Sequence, residues 1–340
     1  MKNPKNPIIS FATGALLALG LSARFAQAAT PAPRFNMVVI AELLADGKGP
    51  ADDQHRPYVE AAKIWLNQLA KDSNFTVTYL TTPDSFTDSM LAKVDLIWQM
   101  NYAPYGWPAV PKAAFEKYMN SGKGGWLGIH HASLYGPAIT SETWPLFFSL
   151  LGEINYKNYI SKFASGNVRL EDSTHPVFKG VPSTFNVTTE EWYTWDKSPR
   201  PKVHVLANVD ENSYKFVDAS QSGTKMGDHP VVWTNDAFKG RNIYIFMGHH
   251  PNLYQNAAYV TLIRNSIMWA ANKPVVTAIS NAHRSRKSGA EPDGEHSPRV
   301  GNLAVEADRN FKSLPGTGGT SHNPTVLDAA GRTHFQSEVK

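Results

Sequence analysis

Short apolar runs alternate along this chain with segments of helical spacing. Two of these segments have helical apolar spacing: 56–71, with Pro57 in its first turn, and 111–122, which ends at Gly122. Four runs have the composition of buried strands: 35–43, 75–80, 94–100 and 125–131. Continuous apolar strands separated by helices are typical of a parallel sheet covered on both faces. The chain is therefore predicted to be α/β, with a mostly parallel central sheet and helices on both faces.

The second half of the chain is less regular, and it predicts added strands rather than further strand–helix units. Four strand-like runs follow one another without long helices between them: 166–171, 184–195, 202–209 and 229–236. The run 241–250 is predicted to close the sheet. Residues 256–272 have the spacing of a final amphipathic helix.

The amino-terminal segment indicates export. Lys2 and Lys5 precede an apolar stretch of small residues, and Ala26–Ala28 has the small-residue pattern of a cleavage site. Residues 1–28 are therefore predicted to be a signal peptide, with a periplasmic or secreted mature protein. The alternative is a membrane anchor, but the apolar run is short for a bilayer span of ~20 residues. No stable membrane insertion is expected after cleavage.

Composition separates a folded body from a tail. All nine tryptophans lie between Trp65 and Trp269, whereas residues 277–340 contain only Phe311 and Phe335 as aromatics. We therefore expect one domain over residues 29–276 and a disordered polar tail over 277–340. The domain carries 22 basic and 22 acidic residues, which gives no sign of a nucleic-acid partner.

The chain has no cysteine. This excludes a disulfide framework, a thiolate nucleophile and any cysteine-ligated metal site.

Polar residues at strand ends indicate where a site would lie. Ligands of open parallel sheets bind at the carboxyl ends of the strands, a rule that selects four places: Glu42, residues 100–105, His130 and His249. His130 and His131 end one apolar run, His249 and His250 end another, and His55 follows the first strand. Glu190 and Glu191 lie in an aromatic strand that could lean over the same cleft.

Each of these residues also has a structural interpretation. A single strand-end histidine is more often a buried residue that satisfies hydrogen bonds. Two histidine pairs at the ends of strands in one sheet favour a shared cleft, with one side chain of each pair facing it. The aromatic cluster of Trp192, Tyr193 and Trp195 is more often core than a ligand platform.

The residue types suit a metal, although no compact metal-binding motif is present. A turn that places His130 at a helix N-terminus would disfavour its imidazolium form, and a metal ligand or base must be neutral. Histidine and glutamate together suit zinc or manganese. A divalent metal is therefore a hypothesis from residue chemistry and not from spacing.

Several motifs in a fixed order resemble a known family. They are "GGWLGIHHAS", "HPVFKGVP", "EEWY", "GRNIYIFMGHH" and "IRNSIMWAAN". Together, over about residues 35–273, they resemble the ThuA-like, or trehalose-utilisation, family. The resemblance implies a class I glutamine amidotransferase-like (flavodoxin-like) fold with added strands, and an association with sugar metabolism.

The same resemblance suggests roles for individual residues. Where amidotransferases have a Gly-x-Cys-x-Gly elbow, residues 128–132 read Gly-Ile-His-His-Ala, so cysteine-dependent glutaminase chemistry is excluded. The motif match puts His130, Glu191 and His249 at the family's recurring polar positions, Tyr193 at the tyrosine of "EE-x-Y", and His55 at a looser match. The predicted catalytic residues are His130, Glu191, His249 and Tyr193. The predicted metal ligands are His130, His249, Glu191 and His55.

The leading hypothesis for function is an exported enzyme acting on a sugar or glycoside, an oxidised (keto) sugar among the candidates. Hydrolase, lyase or isomerase chemistry is expected. Five aromatic residues could present flat faces to a sugar ring: Tyr102, Tyr105, Trp107, Trp192 and Trp195. Glu190 and Glu191 are neighbours on a predicted strand and would point to opposite faces, so they are not expected to form a glycosidase pair. The alternatives are a non-catalytic carbohydrate-binding module and a structural periplasmic domain.

Overall fold

The computed structural model describes residues 32–41, 54–160, 162–218 and 225–273, together with the backbone of 326–327 and 333–334. The predicted signal peptide lies outside the described residues. So does the predicted disordered tail, apart from those two short strands. No helix in the described ranges is long and apolar enough to cross a membrane.

Nine of the described strands form one sheet. The strands of the described residues are β1 Asn36–Ile40, β2 Thr76–Leu80, β3 Leu96–Met100, β4 Gly125–Ile129, β5 Tyr156–Tyr159, β6 Ala164–Leu170, β7 Thr184–Glu190, β8 Tyr193–Trp195, β9 His204–Phe216, β10 Pro230–Thr234, β11 Asn242–Ile245, β12 Val326–Leu327 and β13 Thr333–His334. The order in the large sheet is β2-β1-β3-β4-β11-β10-β9-β6-β7. Its first five strands are parallel, and the other four extend it with antiparallel pairing.

Helices cover the parallel half of the sheet. They are α1 Arg56–Ser73, α2 Asp88–Leu91, α3 Ala109–Ser121, α4 Pro145–Leu150 and α5 Ala257–Ala270. Every residue of β3 and β4 is buried, so both faces of the sheet are covered at its centre. The predicted α/β fold with a mostly parallel sheet and added strands is confirmed.

Capping chemistry sets several helix boundaries. The helix α5 begins after Asn256, whose side chain accepts hydrogen bonds from the backbone of Ala258 and Tyr259. The helix α3 ends at Gly122 in the left-handed region, as the sequence predicts. The helix α1 ends at Asn74, also left-handed.

One predicted strand is wrong in a way that matters for the site. Residues 184–195 do not form a single strand: β7 ends at Glu190, and the chain then turns before β8. The short strand β8 leaves the large sheet and pairs with β5, which the sequence did not predict. Because Glu191 lies outside any strand, the expectation that Glu190 and Glu191 face opposite sides of a sheet does not apply.

Three of the aromatic residues considered as sugar platforms belong to the core instead. Trp107, Trp192 and Trp195 are buried. Trp192 stacks on Phe246, and Trp195 meets Trp233 edge-on. Tyr102 and Tyr105 keep partly exposed side chains.

Candidate metal centre

His130 stands on a strained turn at the end of β4. Its φ is 50°, in the left-handed region that side chains other than glycine rarely adopt. The chain then enters a short 3₁₀ helix, His130–Ser133. Gly248 approaches from the end of β11, and a Cβ there would lie 2.8 Å from the Cβ of His130. The two strand ends therefore meet with no room for a side chain at residue 248.

Hydrogen bonding fixes the tautomer of His130. Its Nδ1 lies 3.1 Å from the carbonyl oxygen of Phe246. A carbonyl only accepts, so Nδ1 carries the proton, and Nε2 of the neutral ring keeps its lone pair. That Nε2 lies 3.2 Å from Nε2 of His55 and 3.5 Å from Oε2 of Glu191.

Four side chains from four separate segments bring their donor atoms together. His55, His130, Glu191 and His249 each offer one nitrogen or oxygen, and these atoms all lie within 4.8 Å of one another. Oε2 of Glu191 is 3.3 Å from Nδ1 of His249 and 3.7 Å from Nε2 of His55. Ligands ~2.05 Å from one tetrahedral ion are about 3.3 Å apart. The spacing and the donor types therefore fit a divalent ion such as zinc or manganese.

The electrostatics of the group suit a cation. Burial alone would raise the pKa of Glu191, but the three imidazoles around its carboxylate, those of His130, His249 and His55, outweigh it and hold that pKa well below its usual range. Burial lowers the pKa of His130 to about 4, with Glu191 opposing the shift. A carboxylate thus stands beside the neutral imidazole of His130. The cause of His130's neutrality is burial and not the predicted helix N-terminus, because only one 3₁₀ turn follows.

Glu190 holds the turns of the site together. Its Oε2 accepts from the backbone N–H of Gly248 at 3.0 Å, and its Oε1 accepts from the N–H of Glu191 at 2.9 Å. The side chain is fully buried, and burial raises its pKa to about 8. Oε1 also lies 3.9 Å from Nδ1 of His130. The two adjacent glutamates therefore approach opposite edges of one imidazole.

The second histidine of each pair, His131 or His250, contributes no donor atom to the group of four. The ring of His131 lies 4.0 Å from that of His55, centre to centre, and close to the donor group without belonging to it. His250 turns to its own loop, where Nδ1 accepts from the N–H of Asn252 at 3.3 Å. The rings of His130 and His249 lie 5.6 Å apart. The structure thus brings together all four predicted ligands, whose metal-binding role stays a prediction.

Tyr193 packs against the ring of His130. Its buried ring lies 4.6 Å from the ring of His130. Its carbonyl accepts a hydrogen bond of 2.8 Å from Nε2 of His229, whose Nδ1 lies 3.0 Å from Oε1 of Glu211. Sequence reasoning missed this buried pair, because His229 opens an apolar strand and its partner lies on a different strand.

Asn101 is a further residue that the sequence pointed to only as part of a strand end. It is buried with a φ of 46°. Its Nδ2 donates to the carbonyl of Gly248 at 2.7 Å, and its Oδ1 accepts from the N–H of His131 at 3.4 Å. Asn101 therefore ties the turn after β3 to the two histidine-bearing turns.

Burial of His130 makes a specific prediction for the protein in the presence of a chelator. Its folded-state pKa of about 4 lies below the unfolded value of about 6.5, so only the unfolded chain gains a proton between these values. The stabilising contribution is complete above pH 6.5 and is lost as the pH falls toward 4, by about 3 kcal/mol. Urea unfolding in chelator at pH 7 and pH 4.5 checks this. Wild type should lose that much more stability than His130→Ala, since the opposing effect of Glu190 is common to both, and equal losses would contradict it.

The comparisons with known proteins agree on one family. The sequence profile of ThuA, trehalose utilisation, matches residues 48–270. A ThuA-like protein from Bacteroides uniformis is 26% identical with a TM-score of 0.61, over 74% of this chain and 95% of that one. A ThuA-like protein from Parabacteroides merdae is 18% identical with a TM-score of 0.50, over 71% and 91%. No curated protein matches the sequence significantly.

Proposed function

The chain belongs to the ThuA, or trehalose-utilisation, family, and from that premise we propose that it is an exported, metal-dependent enzyme acting on a sugar or glycoside. The resemblance found in the sequence motifs is confirmed by the family match over residues 48–270. The reaction class, the substrate and the export are proposals. The absence of cysteine from the chain excludes a cysteine-dependent glutamine amidotransferase.

The convergence of four donor atoms carries the proposal. His55, His130, Glu191 and His249 come from segments far apart in sequence, yet their donor atoms lie within 4.8 Å of one another. A structural role for each histidine alone would not require one shared point. The tautomer of His130 adds to this, because the hydrogen bond from Nδ1 to the Phe246 carbonyl leaves Nε2 free to accept toward that point.

The residues of the centre divide into ligands and supports. A divalent ion held by the four donors, with a fifth coordination position open to the substrate, would supply Lewis-acid polarisation of a carbonyl or hydroxyl oxygen of a sugar. Glu191 is better placed as the anionic ligand than as a general acid or base, because Oε2 faces three imidazoles at 3.3–3.7 Å. Tyr193, considered catalytic from the motif match, is buried and orients the ring of His130.

Metal content is the decisive measurement. Protein purified without a histidine tag should carry about one divalent ion per chain, measured by elemental analysis. Chelation should lower the melting temperature, and zinc or manganese should restore it, since a ligand at 100 times its Kd stabilises a fold by about 2.7 kcal/mol. A chain with no bound metal and no shift on metal addition would contradict the metal centre.

Turnover then separates an enzyme from a binding protein. The metal-loaded protein is incubated with neutral sugars, glycosides and their keto derivatives, and products are followed by chromatography. Product formation that depends on the ion supports the enzyme. Sugar binding without turnover would instead favour the non-catalytic carbohydrate-binding module, and neither binding nor turnover would favour a structural periplasmic domain.

A further inference from the structure

The ribbon of β5 and β8 places two tyrosines on one face. The pairing runs Tyr156 with Trp195, Asn158 with Thr194, and Tyr159 with Tyr193. The strand β5 therefore has one extra residue, Lys157, between the first two pairs, which is the arrangement of a β-bulge.

The bulge changes which way the second tyrosine points. Residues three apart on a regular strand face opposite sides. Trp195 and Tyr193 are two apart on β8 and so share a face, and their partners Tyr156 and Tyr159 share that face with them. Both tyrosine rings accordingly meet Tyr193 edge-on, at 5.1 Å for Tyr156 and 6.4 Å for Tyr159.

This face of the ribbon lies next to the candidate metal centre. The ring of Tyr193 lies between the two tyrosines and the ring of His130, 4.6 Å from the latter. Tyr193 is buried, whereas Tyr156 and Tyr159 are only half-buried, so they form the outer layer of this aromatic stack. Burial first and then the Glu191 carboxylate raise the pKa of both phenols.

We propose that Tyr156 and Tyr159 are specificity-determining residues that bind a neutral sugar beside the candidate metal centre. Each presents a flat ring to the C–H face of a sugar and a hydroxyl that both donates to and accepts from sugar hydroxyls. The substrate class rests on the proposed function. The bulge at Lys157 is what allows one short strand to supply two such groups on the same side.

Removing only the hydroxyl tests the proposal without disturbing the packing. Tyr156→Phe and Tyr159→Phe are compared with Tyr79→Phe, a control on the edge strand β2 whose hydroxyl donates to Asn67. The probes are glucose, methyl α-glucopyranoside and trehalose, with Kd measured by titration calorimetry on metal-loaded protein. Metal content is determined on the same samples. Each loss of a sugar hydrogen bond should weaken Kd by ~3- to 10-fold, and the double variant by more.

The outcomes are separable from those for the metal centre. Unchanged metal content with weaker sugar binding in the Tyr156 and Tyr159 variants, and an unchanged Kd in Tyr79→Phe, supports the inference. Kd values within twofold of wild type in both variants would overturn it, as would failure of wild type to bind any of the three probes. If wild type binds sugar in a tyrosine-dependent way but holds no metal, the proposed metal centre fails and this inference stands. Once turnover is found, the Tyr156 and Tyr159 variants should raise KM and leave kcat unchanged, which tests the same inference kinetically.

Discussion

Replacing His130 with alanine is expected to reduce bound metal from about one ion per chain to background while the fold persists. His130 supplies the most enclosed donor of the group, and its Nε2 lies within 3.5 Å of both His55 and Glu191. Losing even a supporting partner of a ligand typically costs 10–100-fold in metal affinity, so losing the ligand itself should cost more than 100-fold. Elemental analysis and competition with a fluorescent zinc chelator measure the change.

A second histidine variant controls for nonspecific effects of the substitution. His204→Ala removes an exposed histidine on β9 that faces Asp172 at 3.3 Å. It should leave metal content unchanged. Circular dichroism and the melting temperature of the metal-free proteins establish that both variants are folded. A folded His130→Ala protein that keeps a full equivalent of metal would show that the four donors do not form the site.

The second large effect is expected on the stability of the protein when Glu190 is replaced. Alanine and glutamine at this position are expected to differ. Glu190→Ala removes the acceptor of three backbone N–H groups, those of Gly248, His249 and Glu191, and leaves a cavity in the core. Each unsatisfied buried group costs about 1–3 kcal/mol, so a total loss of about 3–5 kcal/mol in the free energy of unfolding is expected. Metal affinity should fall 10–100-fold with the loosening of the turns that carry Glu191 and His249.

Glu190→Gln should be milder than alanine. A side chain with a pKa of about 8 is mostly protonated at neutral pH, so glutamine matches its charge and fills its space, and its one carbonyl oxygen keeps an acceptor on one side of the tether while its NH2 group replaces the other oxygen. Urea unfolding of both variants at pH 7 measures the contrast. If glutamine is as damaging as alanine, Glu190 acts as a charged partner of His130, and its assignment as a neutral tether is wrong.

The parallel half of the fold follows from the sequence because its signals are local. Continuous apolar runs such as 94–100 and 125–131 can only be buried on both faces, and they became β3 and β4. The positions of the strand ends then predicted that His130 and His249 belong to one site, because neighbouring parallel strands end at the same edge of a sheet. The motif match at His55 is looser, because the loop before it is long.

The other parts of the site depend on contacts that no local pattern encodes. Periodicity runs on through residues 184–195, whereas β7 ends at Glu190, whose side chain accepts from the N–H of Gly248 after β11. The bulge at Lys157 leaves no composition signal, and β5 itself is half-exposed. The motif "EEWY" indicated that this segment matters. It did not indicate that the side chains of Glu190 and Glu191 approach the imidazole of His130 from opposite edges.

The left-handed turn at His130 positions a site residue but lowers the stability of the chain. A non-glycine residue at φ 50° carries about 1–3 kcal/mol of backbone strain, which the surrounding strands must absorb. Glycine would relieve that strain, so variants ranked by the melting temperature of the metal-free protein alone would drift toward losing the imidazole. Libraries for thermostability should therefore hold residue 130 fixed and draw their gains from positions remote from the turn.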